Sequence, residues 1–225
     1  MKNKINYGII GFSGRLGSEV KNVFDEKAHN LVFTSDIDGE TETAEPQLII
    51  DCSLPEAFDN NIEIIKRFNS SLIIATTGLS ENHLKTLRKL SETIPVVQSF
   101  NFSIGIQVLL NLTLAASKLL KDWDVEITET HHRMKKDKPS GTAKMIQSIF
   151  KDKNINVSSL RLGGVPGDHS VEFGGMGEVL KITHHAISRR TFAEGILKSA
   201  EFIINKKNGF FTFNDVVFSD KQNGI

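Results

Sequence analysis

The richest cluster of reactive side chains lies in residues 126–143, a polar run that contains two adjacent histidines, His131 and His132, and then Lys135. Imidazole and ammonium groups can donate protons, and they attract anions when they are charged. The run ends in Pro-Ser-Gly-Thr at residues 139–142, which is a typical start of a helix. Hydroxyls and backbone N–H groups converge at such a start and can hold a carboxylate. The run therefore predicts a site that binds an anionic substrate and protonates it.

Two other interpretations of the histidine pair are open. Two histidines could bind a metal ion, but adjacent residues on a strand point to opposite faces, and the single cysteine, Cys52, lies far away in sequence. We therefore expect no metal. The cationic loop could also be a solvated surface, which is the simpler interpretation of an isolated H-H-x-x-K pattern.

A second candidate site is a glycine-rich loop at residues 11–17, with the spacing G-x-x-G-x-x-G. Glycines let the backbone turn tightly and approach a pyrophosphate, and the helix that follows directs its N-terminus at the phosphates. Asp36 follows at about the offset, roughly 20 residues, expected for an acid that bonds the adenosine ribose. The pattern predicts a dinucleotide site, and a glycine-rich turn without a ligand is the alternative.

The identity of the acid bears on the choice of cofactor. A carboxylate at Asp36 would repel the 2′-phosphate of NADPH, and Ile37 offers no cation, although Arg15 could compensate in part. We expect NADH to be preferred and NADPH to be a second possibility, while a solvated loop acid is the alternative interpretation of Asp36. The predicted cofactor-binding residues are Gly11, Phe12, Ser13, Gly14, Arg15, Leu16, Asp36, Ala75, Thr76, Thr77, Ser99, Phe100, Asn101 and Phe102.

These residues need a scaffold, and the first hundred residues predict one. Short apolar runs alternate there with segments of helical spacing, a pattern that favours a parallel sheet with helices on its faces. The predicted strands are 5–10, 31–35, 47–51, 72–76 and 95–98.

The pattern changes after Asn101. An apolar helix is predicted at 106–120, and Gly-rich turns between alternating segments favour an antiparallel sheet. The predicted strands are 125–132, 157–162, 169–173 and 178–185, with helices at 140–151 and 191–204 and a short closing strand at 210–218.

Composition excludes several classes of protein. The 225 residues include 27 basic and 27 acidic side chains, so a nucleic-acid partner is not expected. No segment approaches the about 20 apolar residues of a membrane span. One cysteine and no recognisable secretory signal lead us to expect a cytoplasmic protein without a membrane partner.

The run E-x-x-E-x-H-H-x-x-K-x-D-x-P-S-G-T-A resembles the signature of the 4-hydroxy-tetrahydrodipicolinate (dihydrodipicolinate) reductase family. The loop at 11–17 is similar to that family's G-x-x-G-R-M-G, with Leu16 in place of Met and Phe12 where a small residue is common. Segments 76–78, 101–103 and 161–169 also resemble the family, so the likeness extends over nearly the whole chain.

The resemblance implies an α/β fold with two domains. A Rossmann-like parallel-sheet dinucleotide domain would span 1–102 and be rejoined by 190–225. An α+β domain for substrate binding and oligomerisation, with a mostly antiparallel sheet, would span 103–189. The family is commonly tetrameric through that second sheet, so a homotetramer is expected.

The resemblance also implies the reaction, NAD(P)H-dependent reduction of a cyclic imine dicarboxylate in diaminopimelate and lysine synthesis. His131 would donate or accept the proton, and Lys135 would be a second donor or hold the substrate's charge. His132, Ser140, Gly141 and Thr142 would bind the substrate. Two rivals are another two-domain nicotinamide oxidoreductase and an NAD-binding redox sensor that reduces nothing.

Overall fold

The structure, a computed structural model, describes residues 4–151 and 154–219. Within these residues the strands are β1 (Asn6–Ile10), β2 (Asn30–Asp36), β3 (Gly39–Glu42), β4 (Leu48–Asp51), β5 (Ser71–Ile74), β6 (Pro95–Gln98), β7 (Asp124–His131), β8 (Asn156–Arg161), β9 (Asp168–Gly174), β10 (Val179–His185) and β11 (Gly209–Thr212). The helices are α1 (Arg15–Glu26), α2 (Phe58–Phe68), α3 (Glu81–Leu90), α4 (Ile104–Leu119), α5 (Gly141–Gln147), α6 (Arg190–Ile203) and α7 (Phe213–Val217), with a short 3-10 turn at Pro55–Ala57.

The chain divides into two compact units. The first contains the residues up to Phe102 and those from Phe192 onward, and the second is Ser103–Thr191. Among the described residues, no helix is both long and apolar enough to cross a lipid bilayer.

The first unit is built on a seven-stranded sheet in the order β11-β6-β5-β4-β1-β2-β3. Every neighbouring pair is parallel except β2 and β3. Strands β4, β5 and β6 are buried along their whole length, as expected for strands covered on both faces. The order reverses at β1, which lies between β2 and β4, and open α/β sheets bind ligands beside such a point.

Helices cover both faces of this sheet. Val20, Val23 and Phe24 of α1 recur at helical spacing and pack on one face, in the same apolar cluster as Ile9. On the other face, Ile62 and Ile65 of α2 pack in a second cluster with Ile49 and Leu72.

The returning stretch of chain completes the first unit. Ala193 and Ile196 of α6 join the cluster that α1 forms, and β11 pairs in parallel with β6. At Gly195 a Cβ would lie 1.8 Å from the carbonyl oxygen of Phe102, so the helix can approach that backbone only because the residue is glycine.

Two local features differ from the expectations. The predicted closing strand at 210–218 ends at Thr212, because the Thr212 hydroxyl accepts from Asp215 N (3.3 Å) and the Asp215 carboxylate accepts from Thr212 N (2.8 Å). This capping box starts α7 where a strand was expected. Strand β3 was not predicted, since its sequence Gly-Glu-Thr-Glu has no apolar residue and all four residues are exposed.

The second unit has a four-stranded sheet in the order β10-β9-β7-β8. The pairs β10–β9 and β7–β9 are antiparallel, but β8 runs parallel to β7. A parallel neighbour needs a crossover connection, and α5 lies between β7 and β8 in the chain. That helix ends at Gln147 and not at the predicted residue 151. The predicted fold class is confirmed, with a Rossmann-like parallel sheet and a mostly antiparallel second sheet.

Helices pack on one face of the second sheet. Helix α4 lies against β10, and α5 lies against β7. The apolar cluster between them contains Ile127, Val171 and Phe173 from the strands, with Leu109 and Ile146 from the helices. We call this helix-covered side the inner face.

The inner face becomes polar toward the end of β7. Glu129 and His131 continue the alternation that starts with buried Ile127, so both side chains point inward. Arg161 of β8 is the register partner of His131, and His169 of β9 is the register partner of Glu129. The second sheet therefore gathers four ionisable side chains at one corner.

Candidate active site

The glycine loop between β1 and α1 brings backbone segments so close together that a side chain would clash at two of its glycines. At Gly17 a Cβ would lie 2.3 Å from the carbonyl oxygen of Gly11, and at Gly11, whose φ is 79°, it would lie 2.9 Å from the Cys52 carbonyl. Gly14 is the N-cap of α1. Ser13 and Arg15 are exposed beside it, whereas Phe12 and Leu16 pack against the core. This tight, exposed backbone turn at a helix N-terminus fits a dinucleotide pyrophosphate.

Asp36 lies next to this loop, at the end of β2. Its carboxylate accepts a hydrogen bond from Ser13 N at 2.6 Å. This bond is the main cause that lowers the pKa of Asp36, against the opposing effect of burial. A carboxylate that is ionised at neutral pH and partly exposed beside a glycine loop fits the hydroxyls of a ribose better than a phosphate.

The other predicted cofactor segments leave the same edge of the sheet. Ile10 is the register partner of both Ser35 and Asp51, and Ile74 is the partner of both Asp51 and Gln98. The residues that follow these positions are thus neighbours at the carboxyl ends of the strands. They include the predicted residues Gly11, Asp36, Ala75 and Ser99.

These segments differ in what they can offer to a ligand. Ala75 is buried and Thr77 is exposed. Ser99 Oγ donates to the carbonyl of Asn101 (2.8 Å) and accepts from Asn101 N (3.2 Å), which closes a local turn around the half-buried Phe100. Phe102 was predicted to bind the cofactor, but its side chain is only 3% exposed and stacks in the core, 5.1 Å from the ring of Phe213. The side chain therefore anchors the segment in the core, and a cofactor contact of Phe102 through its backbone stays a prediction.

A carboxylate that the sequence did not single out joins two of these segments. Asp51, which is fully buried, accepts from Ser53 N (2.9 Å), Ser53 Oγ (2.6 Å) and Thr76 Oγ1 (2.9 Å) through one oxygen, and from Asn61 Nδ2 (3.2 Å) through the other. The loops after β4 and β5 are therefore fixed to one acceptor. An acidic residue that ends a wholly apolar strand was the signal in the sequence.

In the second unit, the predicted catalytic residue His131 is the last residue of β7 and is 7% exposed. Its Nδ1 atom is paired with Oε2 of Glu129, which is fully buried. Arg161 donates to both carboxylate oxygens of Glu129, from Nη1 to Oε2 and from Nη2 to Oε1, each at 2.9 Å. Ser140 N also donates to Oε1, at 3.3 Å.

These contacts set the protonation of the pair. Burial acts to raise the pKa of Glu129, but hydrogen bonds, led by those from Arg161, outweigh it and lower the pKa to about 2. Burial is also the main cause that lowers the pKa of His131, and the Glu129 carboxylate opposes it. Glu129 is therefore an anion at neutral pH, and it favours the charged form of a ring that burial would keep neutral.

Arg161 also fixes the loop that carries Lys135. Its Nε donates to the carbonyl of Lys135 (3.2 Å), and its Nη2 donates to the carbonyl of Asp137 (2.5 Å). Within that loop Lys135 Nζ and Asp137 Oδ1 form an ion pair at 2.8 Å. His132 lies half-buried at the start of the loop.

The predicted carboxylate site begins at Ser140, which is the N-cap of α5. Its Oγ accepts from Ala143 N (3.1 Å) and lies 3.2 Å from Nε2 of His169. Gly141 is half-buried and Thr142 is buried. Ser140 is thus occupied in capping, and it is joined to His131 through Glu129.

His169 completes this corner. Its ring lies edge-on to the ring of His131, with 5.2 Å between the centroids. Burial is the main cause that lowers the pKa of His169 to about 3, so the ring is neutral at pH 7. The arrangement combines one proton-exchanging ring, one fixed anion and several cations, which suits acid–base chemistry on an anionic ligand.

Comparison with known proteins identifies the family. Residues 29–102 match the family model "Dihydrodipicolinate reductase, N-terminus", and residues 105–217 match "Dihydrodipicolinate reductase, C-terminus". This chain belongs to the dihydrodipicolinate reductase family. The match confirms the resemblance, although the glycine loop itself precedes the first matched segment.

Individual relatives agree with this assignment. A 4-hydroxy-tetrahydrodipicolinate reductase from Thermosipho africanus is 47% identical over 213 residues, which are 95% of this chain and 98% of the relative. The enzyme of that name from Caldanaerobacter subterraneus subsp. tengcongensis is 40% identical over 194 residues, 77% of each chain.

Solved structures share the fold. A dipicolinate-bound dihydrodipicolinate reductase from Paenisporosarcina sp. TG-14 has a TM-score of 0.74 at 22% identity, covering 93% of this chain and 98% of that one. An aspartate dehydrogenase from Thermotoga maritima has a TM-score of 0.54 at 16% identity, covering 92% and 100%. The family is one of oxidoreductases, and the family together with the dehydrogenase fold indicates a nicotinamide cofactor.

Sequence reasoning on the family motif did not assign roles to Glu129, Arg161 or His169. The signal was available, because Glu129 and His131 share the inward parity of Ile127 in an alternating strand. A charged side chain at an inward position of a strand needs a partner, and here that partner is Arg161.

Proposed function

We propose that this protein reduces the cyclic imine dicarboxylate formed from 4-hydroxy-tetrahydrodipicolinate by loss of water, and so produces tetrahydrodipicolinate for diaminopimelate and lysine synthesis. The observation that carries the proposal is the buried His131–Glu129–Arg161 cluster, inside a stretch that matches the family over 105–217. It supplies a proton-exchanging ring beside cations, as the reduction of a dianion requires.

The first unit would hold the cofactor. The backbone of residues 11–17 would hold the pyrophosphate, Asp36 would bond the adenosine ribose, and the segments at 75–77 and 99–102 would line the rest of the site. The nicotinamide, when bound, supplies the hydride to the conjugated carbon of the substrate. We propose NADH as the preferred cofactor and NADPH as the second, because the Asp36 carboxylate repels a 2′-phosphate.

The second unit would bind and protonate the substrate. Reduction moves electrons toward the ring nitrogen, and a proton must then be added to the ring. His131 would deliver it, with Lys135 as a second donor or as the cation that balances the substrate's charge. His132 would contact the substrate, and Gly141 and Thr142 would hold a carboxylate. Ser140 would bind the substrate beside them, and its Oγ also caps the start of α5. Fixed donors of this kind stabilise charge that builds up in the transition state.

The proposal includes a homotetramer that works in the cytoplasm. The side of the second sheet opposite to the inner face, which we call the outer face, carries exposed apolar residues such as Leu160 (51% exposed) and Val179 (66% exposed). A second copy of the chain would cover them. No nucleic-acid or membrane partner is proposed, since 27 basic and 27 acidic side chains leave no net charge.

The test is a coupled assay on the purified protein. The preceding synthase makes the unstable substrate in place from pyruvate and aspartate semialdehyde, and oxidation of NADH and NADPH is followed separately. We expect rapid NADH oxidation, slower NADPH oxidation, and loss of both in a His131→Ala, Lys135→Ala double variant.

Three outcomes decide the matter. Substrate-dependent oxidation that the double variant lacks supports both the reaction and the site. NADPH used as well as NADH contradicts the argument from Asp36 but not the reaction. Cofactor binding without substrate-dependent oxidation of NADH or NADPH contradicts the reductase function and favours a redox sensor.

A further inference from the structure

The two oxygens of the Glu129 carboxylate have different sets of partners. Oε1 accepts from Arg161 Nη2 (2.9 Å) and from the backbone N of Ser140 (3.3 Å). Oε2 accepts from Arg161 Nη1 (2.9 Å) and is paired with Nδ1 of His131. Among these four contacts, the guanidinium and the backbone amide can only donate, whereas the proton of the His131 ring could be on either nitrogen.

An ionised carboxylate can only accept, and its low pKa keeps Glu129 ionised. The ring of His131 must therefore place a proton on Nδ1 to pair with it. In the neutral ring this leaves Nε2 without a proton, and in the charged ring it makes Nε2 the nitrogen that can release one.

The surroundings of the His131 ring agree with a proton on Nδ1 and proton exchange at Nε2. A Cβ on Gly167 would lie 3.0 Å from Nε2 of His131 and 3.3 Å from the adjacent ring carbon. Gly167 has no side chain, so only its backbone lies against this edge of the ring, and a larger residue there would contact Nε2. The Nδ1 edge faces a buried anion, and the Nε2 edge faces a glycine.

We propose that Glu129 is a positioning residue that holds His131 as the Nδ1–H tautomer, so that Nε2 exchanges the proton with the substrate. Arg161 fixes the position of this carboxylate relative to the loop at 135–137. The proposal rests on the proposed reductase function for its substrate, but the tautomer itself is a property of the protein alone.

The same geometry predicts the effect of Glu129→Gln. An amide nitrogen at the Oε1 position would face two obligate donors, Arg161 and the Ser140 backbone. At the Oε2 position it would face only one obligate donor, because His131 can become an acceptor there. The amide nitrogen should therefore lie toward His131 and move the ring proton to Nε2.

The first measurement is nitrogen-15 NMR of the histidine rings in the NADH-bound protein, since ring nitrogens with and without a proton have distinct shifts. The chain has seven histidines, so the His131 signals are assigned by their loss in His131→Ala. We expect Nδ1–H in the wild type and in Glu129→Asp, which keeps the carboxylate. We expect Nε2–H in Glu129→Gln, and no change in the exposed control Glu178→Gln.

The second measurement is turnover. Glu129→Gln should lower kcat by about 10²- to 10⁴-fold, the range that general acid–base catalysis contributes, with a smaller change in KM. Glu129→Asp should recover part of that loss, and NADH affinity should be unchanged in both variants.

The pH profile of kcat gives a third readout. The groups that face His131 are Glu129 on its own strand, Arg161 of β8, His169 of β9, and Lys135 and Asp137 of the loop. Glu129 is the anion hydrogen-bonded to the ring, and it opposes the effect of burial on the pKa of His131. Because a proton donor must be charged, loss of Glu129 should lower the pH above which kcat falls.

The results separate this proposal from the proposed function. An active enzyme whose His131 carries its neutral proton on Nε2 overturns the positioning role and leaves the reductase intact. A wild-type Nδ1–H tautomer that changes to Nε2–H in Glu129→Gln supports the positioning role. If that protein reduces no substrate, the reductase function is overturned. If Glu129→Gln does not fold, the wild-type tautomer and the kcat of Glu129→Asp still decide, and an Nε2–H ring in the wild type overturns the proposal.

Discussion

His169 shows what burial does to a single titratable residue. Its ring is 2% exposed and lies between the ring of His131 and the hydroxyl of Ser140. The pKa of His169 is about 3 in the folded protein and about 6.5 in an unfolded chain. Between these pH values the unfolded state binds a proton at this residue and the folded state does not. His169 therefore adds stability that is complete above pH 6.5 and is lost progressively as the pH falls toward 3.

We predict that the free energy of unfolding decreases between pH 6.5 and 5, with up to about 1.4 kcal/mol per pH unit contributed by His169. The pKa values of His131 and His184 are also lowered by burial, so both add to the slope in the same direction. Denaturant titrations at several pH values measure it. His169→Gln should flatten the slope, while the exposed His185→Gln should not. An unchanged slope in His169→Gln would contradict the assignment.

Gly17 is a residue whose lack of a side chain matters to the cofactor site. A Cβ there would meet the Gly11 carbonyl oxygen at 2.3 Å and the Phe12 carbonyl oxygen at 2.9 Å, and neither backbone group can move away easily. A methyl group at this position would therefore displace the glycine loop.

We predict that Gly17→Ala lowers the free energy of unfolding by about 1–3 kcal/mol, as overpacked sites do. It should also weaken NADH binding by at least about tenfold, which corresponds to about 1.4 kcal/mol. Thermal unfolding and fluorescence titration with NADH measure the two effects. Gly164→Ala, where a Cβ would meet no atom within 4 Å, is the matched control. Wild-type affinity in Gly17→Ala would remove the loop from the proposed cofactor site.

At the scale of elements, the first sheet presents its polar groups at the ends of its strands. Asp51 ends β4 and accepts hydrogen bonds from the loops that follow β4 and β5. One buried side chain therefore determines where two loops of the proposed cofactor site lie.

We predict that Asp51→Ala destabilises the protein by more than about 2 kcal/mol, because Ser53, Asn61 and Thr76 each lose a buried acceptor. Urea unfolding measures the loss, and Asp59→Ala, an exposed acid on α2, serves as the comparison. The same variant should bind NADH more weakly. Equal stability of the two variants would show that the network around Asp51 contributes little.

The elements were predictable where burial imposes a pattern. The run at 47–51, which became strand β4, and the helical spacing of Val20 and Phe24 are examples of the patterns that predicted the parallel sheet and its helices. Strand β3 is held by pairing with β2 and not by burial, so its exposed residues show no pattern. The start of α7 depends on the two reciprocal hydrogen bonds of Thr212 and Asp215, a local signal that the neighbouring phenylalanines concealed.

The candidate site was predictable to the extent that chemistry requires particular residue types. His131 stands out because few side chains exchange protons near neutral pH, and Lys135 stands out because an ammonium group can hold an anion. Arg161 is 26 positions from Lys135 and 32 from Glu129, so only the parallel pairing of β7 with β8 brings them together. The sequence predicted a mostly antiparallel sheet but not which strands pair, so the partnership could not be inferred from spacing.

At the scale of the whole molecule, the second sheet has two faces of different character. Ile127 and Val171 on the inner face are fully buried by helices, whereas Leu160 and Val179 on the outer face are exposed. Exposed apolar residues on a sheet face are common where copies of a chain associate.

We predict a homotetramer of about 100 kDa, four times the 25.0 kDa of one chain, by sedimentation velocity. Leu160→Asp should dissociate it, since a carboxylate would be buried without a partner at the interface. Leu119→Asp changes an 83% exposed leucine of α4 and is the control. A wild-type monomer would exclude the proposed assembly, and dissociation by Leu119→Asp alone would place the contact elsewhere.

The first unit is assembled from two distant stretches of chain, so it cannot complete its fold until the second stretch has been synthesised. Strand β6 receives its neighbour β11 only from residues 209–212, and Ile196 enters the core after the second unit has been synthesised. At about 5–20 residues per second, the unfinished core of the first unit waits for several seconds with apolar surface uncovered. The second unit is contiguous and can close as soon as it leaves the exit tunnel. Synthesis of the first unit begins first, but the second unit completes its fold first. Chaperones that recognise apolar surface can bind the first unit during that delay.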